Sequence, residues 1–210
     1  MRPDSPRAGG VILVGGRSTR MGRAKAWLPV DGKSMAATVV AAVREGLRAT
    51  TPNPPMVVVA AAHQDLPPLE DVLISRDRVQ SEGPLRGMEA GFAALGERAD
   101  VAFVASCDTP LLKPAFVTRM VALLGEHQIA VPVVAGRHHP LAAVYTLDLL
   151  EQVRTLLAAQ RRRPFFLLEQ ANTREVTQEE LADVDPTLAS LCNVNTPAEY
   201  KDLMRREQSS

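Results

Sequence analysis

Several features that define specialised classes of protein are scarce in this sequence. Only two of its 210 residues are cysteine, aromatic residues make up 4%, and no apolar run approaches the roughly 20 residues that a membrane-spanning helix needs. Cys107 and Cys192 are far apart and show neither metal-type nor redox-type spacing, so we interpret both as small buried core residues. These absences exclude a disulfide scaffold and predict a cytoplasmic protein with no membrane contact.

An excess of charge of one sign is also absent. Basic and acidic residues number 24 each, which argues against a surface built for nucleic acid or for a membrane. Lysine is rare, with only four in the chain: Lys25, Lys33, Lys113 and Lys201. With 46% apolar and 23% charged residues, the composition is that of an ordinary globular domain.

Short apolar segments alternate with helical patterns along the chain. Apolar runs without clear alternation predict strands covered on both faces, at residues 11–14, 56–61, 72–74, 101–105 and 129–134. Between them, apolar residues at helical spacing predict amphipathic helices, as at Met35, Val39, Val43 and Leu47. The last helix has a start signal, with Thr196 as cap, Pro197 at the first position and Glu199 completing a capping box.

This order of elements predicts an α/β fold. We expect a Rossmann-like three-layer sandwich with a mostly parallel central sheet, which places ligands beyond the carboxyl ends of the strands. We expect one domain over residues 1–210, with a nucleotide-binding half over about 9–110 and a substrate-side subregion over about 111–210.

The loop after the first strand carries the strongest chemical signal. Residues 15–25 contain four basic residues and no acidic one. The spacing of their glycines fits neither the dinucleotide-binding fingerprint nor the P-loop. Adjacent glycines let backbone N–H groups approach an anion, and the surrounding arginines and lysine add charged donors, which favours a polyphosphate ligand. On spacing alone, a solvated basic turn is about equally good an interpretation.

Five blocks in order resemble the molybdenum cofactor guanylyltransferases of the nucleotidyltransferase superfamily. The family signature L-A-G-G-x-S-x-R-M-G-x-D-K, followed by L-x-x-x-G-K, corresponds to residues 13–25 and then Leu28, Gly32 and Lys33. The other blocks resemble its G-P-L-x-G, C-D-x-P, H-P and N-x-N-T-P segments, at residues 83–87, 107–110, 139–140 and 193–197. Together they span nearly the whole chain.

The resemblance implies a nucleotidyltransferase that uses Mg²⁺ to transfer GMP from GTP to the molybdenum cofactor (molybdopterin), giving the guanine dinucleotide cofactor and pyrophosphate. Its catalytic residues would be Lys25, Arg20 and Asp108, with the two cations stabilising the phosphates as pyrophosphate leaves. Asp108 follows the strand at 101–105, and its carboxylate suits the metal. The implied nucleotide-binding residues are Leu13, Val14, Gly15, Gly16, Lys25, Asp77, Gly83 and Asp108.

Asp77 stands where the family has a nucleotide-binding aspartate. A carboxylate can accept from the ring N–H and the amino group of guanine together, whereas cytosine offers no equivalent pair of donors. The alternative is a salt bridge to Arg76 or Arg78 on an exposed loop.

For the acceptor, the resemblance implies contacts from His139, Asn193 and Asn195. By composition, the two asparagines could equally be turn formers ahead of the last helix. The basic run at 161–163 is either a solvated surface or a contact for the anionic pterin.

Two residues depart from the family pattern and keep other functions open. Ala24 replaces an aspartate and Ala60 an asparagine on the nucleotide side. Cytidylyl transfer to the same cofactor, nucleotidyl transfer to another phosphate acceptor, and a non-catalytic cofactor-delivery protein are the alternatives. Transient contact with cofactor-supplying proteins or molybdoenzymes is compatible with all of them.

Overall fold

The computed structural model describes residues 6–15, 24–77 and 83–207. The strands are β1 (Ala8–Val14), β2 (Pro29–Val30), β3 (Lys33–Ser34), β4 (Met56–Ala61), β5 (Leu73–Asp77), β6 (Val101–Ser106), β7 (Ile129–Val134), β8 (Arg137–His138), β9 (Ala142–Thr146) and β10 (Thr173–Val176). The helices are α1 (Met35–Leu47), α2 (Pro84–Leu95), α3 (Pro114–Ala122), α4 (Leu150–Ala158), α5 (Phe165–Gln170), α6 (Gln178–Leu181) and α7 (Pro197–Glu207).

One large sheet forms the centre of the molecule. Its order is β10-β7-β9-β6-β1-β4-β5, with β8 paired to β7. The neighbours β5, β4, β1 and β6 all run parallel, and β9 is antiparallel to both β6 and β7. The predicted α/β sandwich with a mostly parallel sheet is confirmed.

The strand order reverses beside β1. From β1 the chain moves outward through β4 to β5, and then returns to place β6 on the other side of β1. The connections that follow the carboxyl ends of β1 and β6 therefore leave in opposite directions along the sheet. Open α/β sheets bind ligands at such a switch point.

Each face of the sheet has its own core. Alternate residues of β1 enter opposite layers, since Ile12 belongs to the layer with α1 and α3, and Val11 to the layer with α2 and α4. Because both faces are covered, the central strands are continuously apolar, as the sequence predicts. The apolar helix positions predicted in α1 are all buried.

The run at 72–74 does not fit this pattern. It was expected to be covered on both faces, but the strand there, β5, is the edge of the sheet, and Leu73 and Ile74 are 43% and 44% exposed. A short apolar run cannot show how many neighbours its strand has, which is why the prediction was wrong for this segment.

A third, smaller cluster joins the last helix to the segment after residue 24. Its buried members are Leu28, Val30, Met35, Val194 and Leu203. The predicted capping box of α7 is present, with the Thr196 hydroxyl accepting from the Glu199 N–H and the Glu199 carboxylate accepting from the Thr196 N–H.

Among the described residues, no helix combines the length and apolarity needed to cross a membrane.

Gly46 lies where α1 packs tightly against α3. A Cβ atom there would lie 2.5 Å from the Pro114 carbonyl oxygen and 2.6 Å from the Val117 Cβ. We therefore predict that Gly46→Ala lowers the free energy of unfolding by about 1 to 3 kcal/mol, since the helices must move apart. This is opposite in sign to the gain of about 1 kcal/mol that glycine-to-alanine changes usually give in helices. Urea unfolding measures the difference.

Gly87→Ala in α2 is the control for that prediction. The nearest atom to its added Cβ is the Leu13 Cδ2 at 3.2 Å, the end of a flexible side chain. A loss for Gly46→Ala no larger than that for Gly87→Ala would contradict the close packing of α1 on α3.

Candidate functional site

Asp108 lies at the switch point of the sheet. It follows β6 by two residues, and the Cys107 N–H donates to the Leu13 carbonyl oxygen at 3.1 Å, which extends the pairing of β6 with β1. The Asp108 carbonyl oxygen in turn accepts from the Val194 N–H at 2.8 Å. The backbone on both sides of Asp108 is thus fixed, and its carboxylate lies at the carboxyl ends of β1 and β6, where the sequence predicted it.

Lys25 reaches this carboxylate from the other end of the glycine-rich loop. It begins a 3-10 helix at Lys25–Trp27, and its Nζ lies 3.1 Å from the Asp108 Oδ2. The two side chains are only 16% and 15% exposed, so the pair is partly shielded from water. Shielding strengthens the attraction between the charges and places a fixed cation beside a fixed anion.

The two asparagines ahead of α7 complete the cluster. The Asn195 Oδ1 accepts from the Lys25 Nζ at 2.7 Å, and the Asn193 Nδ2 donates to the Asp108 Oδ1 at 3.1 Å. Residues from three distant parts of the chain therefore meet in one hydrogen-bonded network. The sequence alone allowed both asparagines to be simple turn formers, whereas in the structure their side chains contact the predicted catalytic residues.

A pocket of about 210 Å³ opens next to this network. It is lined by Pro84, Ser106, Thr109, Arg137, His138, His139, Pro140, Leu141, Ala142, Leu191 and Asn193. The predicted acceptor residues His139 and Asn193 thus share one cavity, while Asn195 faces Lys25. Arg137 was not among the predicted site residues, because one arginine outside any motif gives no signal in the sequence.

Burial keeps His139 neutral near physiological pH. Its burial lowers the pKa of the imidazole, and the nearby charges of Arg137 and His138 lower that pKa further. A neutral imidazole can donate one hydrogen bond and accept another. The neighbouring His138 also lines the pocket, and its Nε2 lies 2.7 Å from the Glu175 Oε1.

The predicted nucleotide side is built from the end of β1 and the start of α2. Leu13 and Val14 are buried, and Gly15 is exposed where β1 ends. Gly83 has a φ of 86°, a backbone conformation that favours glycine, and it caps α2 at Pro84. A Cβ at Gly83 would lie 3.2 Å from the Arg162 carbonyl oxygen, so the basic run at 161–163 passes close to this side.

Three predicted residues cannot be placed in this geometry. Gly16 and Arg20 lie outside the described residues, and so does the side chain of Asp77, although its backbone ends β5.

In the part of the chain that the structure describes, few oxygen ligands for a metal ion lie at the carboxyl ends of β1 and β6. Among the described residues, no group of three or more histidine, cysteine, aspartate or glutamate side chains could enclose a metal ion. Asp108 alone provides a carboxylate in the network. Such a donor set does not make a closed protein site, but it does suit an ion that takes most of its ligands from phosphate and water.

An ion pair between the buried Asp185 and the partly exposed Lys113 fixes the segment that leads to the asparagines. Asp185 is fully buried, and its Oδ1 lies 2.8 Å from the Lys113 Nζ, while its Oδ2 accepts from the Ser190 N–H at 2.7 Å. Burial alone would raise the pKa of Asp185, but the bonds from Lys113 and Ser190 outweigh it and hold the pKa below its usual value. This pairing could not be predicted from the sequence, since its partners are 72 residues apart.

Comparison with known proteins agrees with this geometry. A family model described as a MobA-like NTP transferase domain matches residues 10–175. A probable molybdenum cofactor guanylyltransferase of Mycobacterium avium is 36% identical over 202 residues, which are 95% of this chain and 96% of that one. The chain belongs to the molybdenum cofactor guanylyltransferase family. It is a nucleotidyltransferase, as the five blocks predicted.

Solved structures of distant sequence share the fold. Molybdopterin-guanine dinucleotide biosynthesis protein A of Archaeoglobus fulgidus superposes with a TM-score of 0.75 at 21% identity, over 96% of this chain and all of that one. Rv0371c of Mycobacterium tuberculosis, in a complex with manganese, superposes with a TM-score of 0.63 at 16% identity, over 95% of this chain and 98% of that one.

The two cysteines differ in exposure, so the expectation that both are buried is wrong for Cys192. Cys107 is buried, and this burial raises the pKa of its thiol to about 12, while Cys192 is exposed.

We predict that a disulfide reagent modifies one thiol in the folded protein at pH 8 and both after denaturation, because the thiolate is the reactive form. The folded Cys192→Ser variant should show no rapid modification by the reagent. Rapid modification of that variant would contradict the burial of Cys107.

Proposed function

We propose that this protein transfers GMP from GTP to the terminal phosphate of molybdopterin and releases pyrophosphate. A phosphate oxygen of the acceptor attacks the α-phosphorus, and the bond from that phosphorus to the oxygen that bridges it to the β-phosphate breaks. The observation that carries the proposal is the network of Lys25, Asp108, Asn193 and Asn195 at the switch point, beside a pocket large enough for part of a second substrate.

Lys25 would stabilise the phosphates as negative charge moves onto the leaving pyrophosphate. Its ammonium is held in place before substrate arrives, so little reorganisation is needed when the charge develops. We propose Arg20 as a second donor because of its place in the basic loop. Backbone groups of residues 13–16 and of Gly83 would hold the nucleotide, with Asp77 on the base.

Asp108 would hold a divalent ion, which we propose to be Mg²⁺. When bound, this ion would orient the reacting phosphates and screen their repulsion. The single carboxylate fits Mg²⁺, which is usually bound by one or two carboxylates together with substrate phosphates and water. Lys25 already contacts the same carboxylate, so the cation that stabilises the phosphates stays next to the residue that would hold the metal.

The pocket beside Asp108 would receive the pterin acceptor. His139 and Asn193 line it and offer neutral hydrogen-bonding groups, and Arg137 offers a charge for an anionic substrate. Asn195 would complete this side through its bond to Lys25. The basic run at 161–163 lies close enough to Gly83 to contribute to either substrate. In this arrangement residues 9–110 serve the nucleotide and residues 111–210 serve the acceptor, in one cytoplasmic domain.

Cytidylyl transfer remains the second candidate, because of one observation. Ala60 lies in β4 beside Val14, is buried, and offers no polar side chain to a base. At this position the nucleotide side therefore has one polar side chain fewer for a base than the family pattern provides. A purely non-catalytic role is disfavoured, since it would not require both Lys25 and Asp108 to be preserved and paired.

The first prediction from this proposal concerns Lys25. Lys25→Ala should lower the rate of pyrophosphate release by about 100-fold or more, because a fixed charge on the developing pyrophosphate is lost. Lys201→Ala, which removes an exposed lysine from α7, is the matched control and should keep normal activity. Release is measured with Mg²⁺ and each of four nucleoside triphosphates, with and without molybdopterin. Near-normal release by Lys25→Ala would refute its role.

The second prediction concerns the choice of base. Asp77→Ala should reduce the preference for GTP over CTP by about tenfold, since a carboxylate that accepts two hydrogen bonds from guanine is removed. The ratio of kcat/KM for the two nucleotides measures this effect. An unchanged ratio would assign Asp77 to the surface instead.

A further inference from the structure

Glu199 does more in this structure than cap a helix. Its Oε2 accepts from the Thr196 N–H at 2.9 Å, as in an ordinary capping box, and also from the Asn195 N–H at 2.6 Å. The second bond fixes the backbone of a residue whose side chain belongs to the site. The carboxylate is thus one residue away from the network around Lys25.

A second capping-box glutamate among the described residues, Glu180, lacks a bond of this kind to a further backbone N–H. Glu180 completes the capping box of α6, where its Oε2 accepts from the Thr177 N–H at 3.0 Å and its Oε1 accepts from Arg174 at 2.7 Å. It therefore serves its helix and a partly buried ion pair. The contrast shows that the contact to Asn195 is not a necessary part of a capping box.

The helix that carries Glu199 is also fastened to the segment that carries Lys25. The Tyr200 hydroxyl donates to the Pro29 carbonyl oxygen at 2.6 Å. Leu203 and Val194 pack with Leu28 and Val30, which follow the 3-10 helix of Lys25. The start of α7 and the backbone beyond Lys25 therefore form one packed unit, and Asn195 spans it to the lysine Nζ.

We propose that Glu199 is a positioning residue, which holds the backbone of Asn195 so that the Asn195 amide oxygen fixes the Lys25 Nζ beside Asp108. The proposal rests on the role proposed above for Lys25. The N–H groups of Asn195 and Thr196 hold the pKa of Glu199 below its usual value, and the charge of Lys25 lowers that pKa further. Glu199 therefore stays ionised at neutral pH, where its bonds to the backbone are strongest.

The direct test measures how firmly Lys25 is held, without any substrate. The whole chain is briefly exposed to an amine-acetylating reagent, and the modification of each lysine is measured by mass spectrometry. Lys33 and Lys201 are internal references in the same sample. Glu199→Ala should raise the modification rate of Lys25 about fivefold relative to these references, the factor expected when a helix-capping contact is lost.

Three further variants make that result specific. Glu199→Gln keeps an oxygen that can accept from the backbone and should restore slow modification. Glu199→Asp is one methylene shorter and should raise the rate, so it serves as the test if Glu199→Ala does not fold. Glu180→Ala is the matched control and should leave Lys25 unchanged. An unchanged rate in folded Glu199→Ala and Glu199→Asp, or an equal rise in Glu180→Ala, overturns the proposal.

Activity provides the second readout, through a double-mutant cycle with Asn195. Glu199→Ala should lower kcat about fivefold in the normal chain and cause no further loss in Asn195→Ala, because Glu199 acts through that residue. The same loss in both backgrounds would mean a general structural effect and would contradict the proposal. If the normal chain shows no transfer, the proposed function fails, while the lysine modification still decides how Lys25 is held.

Discussion

The contact between Lys25 and Asp108 is the interaction on which the site depends. A lysine and an aspartate separated by 83 residues share a partly shielded ion pair. The same lysine Nζ also donates to Asn195, and the second carboxylate oxygen accepts from Asn193. Breaking such a pair leaves a partly buried charge without its partner, so the surrounding segments must be held firmly. Three features hold these segments in place: the pairing of β6 with β1, the bond from the Val194 N–H to the Asp108 carbonyl oxygen, and the packing of α7.

Much of the fold could be predicted because its physical causes are local. Continuous apolar runs marked the central strands, since those strands are covered on both faces, and helical spacing marked the buried face of α1. The exposed edge position of β5, the antiparallel insertion of β9 and the pairing of Lys113 with Asp185 depend on which elements become neighbours. No pattern within a short window of sequence records that information.

The site was predicted in part, and for a different reason. Lys25, Asp108 and the two asparagines were identified by resemblance to a family, and the structure brings their side chains together. Glu199 was identified only as a capping residue, because the bond from its carboxylate to the Asn195 N–H is a matter of three-dimensional geometry. The balanced total charge also did not indicate the site. The cation at the centre of the site, Lys25, is one of only four lysines in the chain.

The central claim is that the site catalyses substitution at the α-phosphorus of GTP, and the fate of a radioactive phosphate tests it most directly. The protein is incubated with Mg²⁺, molybdopterin and GTP labelled at either the α- or the γ-phosphate, and the products are separated. We predict that the α label enters the pterin product and that the γ label leaves in pyrophosphate, each only when both substrates are present. Transfer of the γ label to the pterin, or release of the α label in free GMP without a pterin product, would contradict the account.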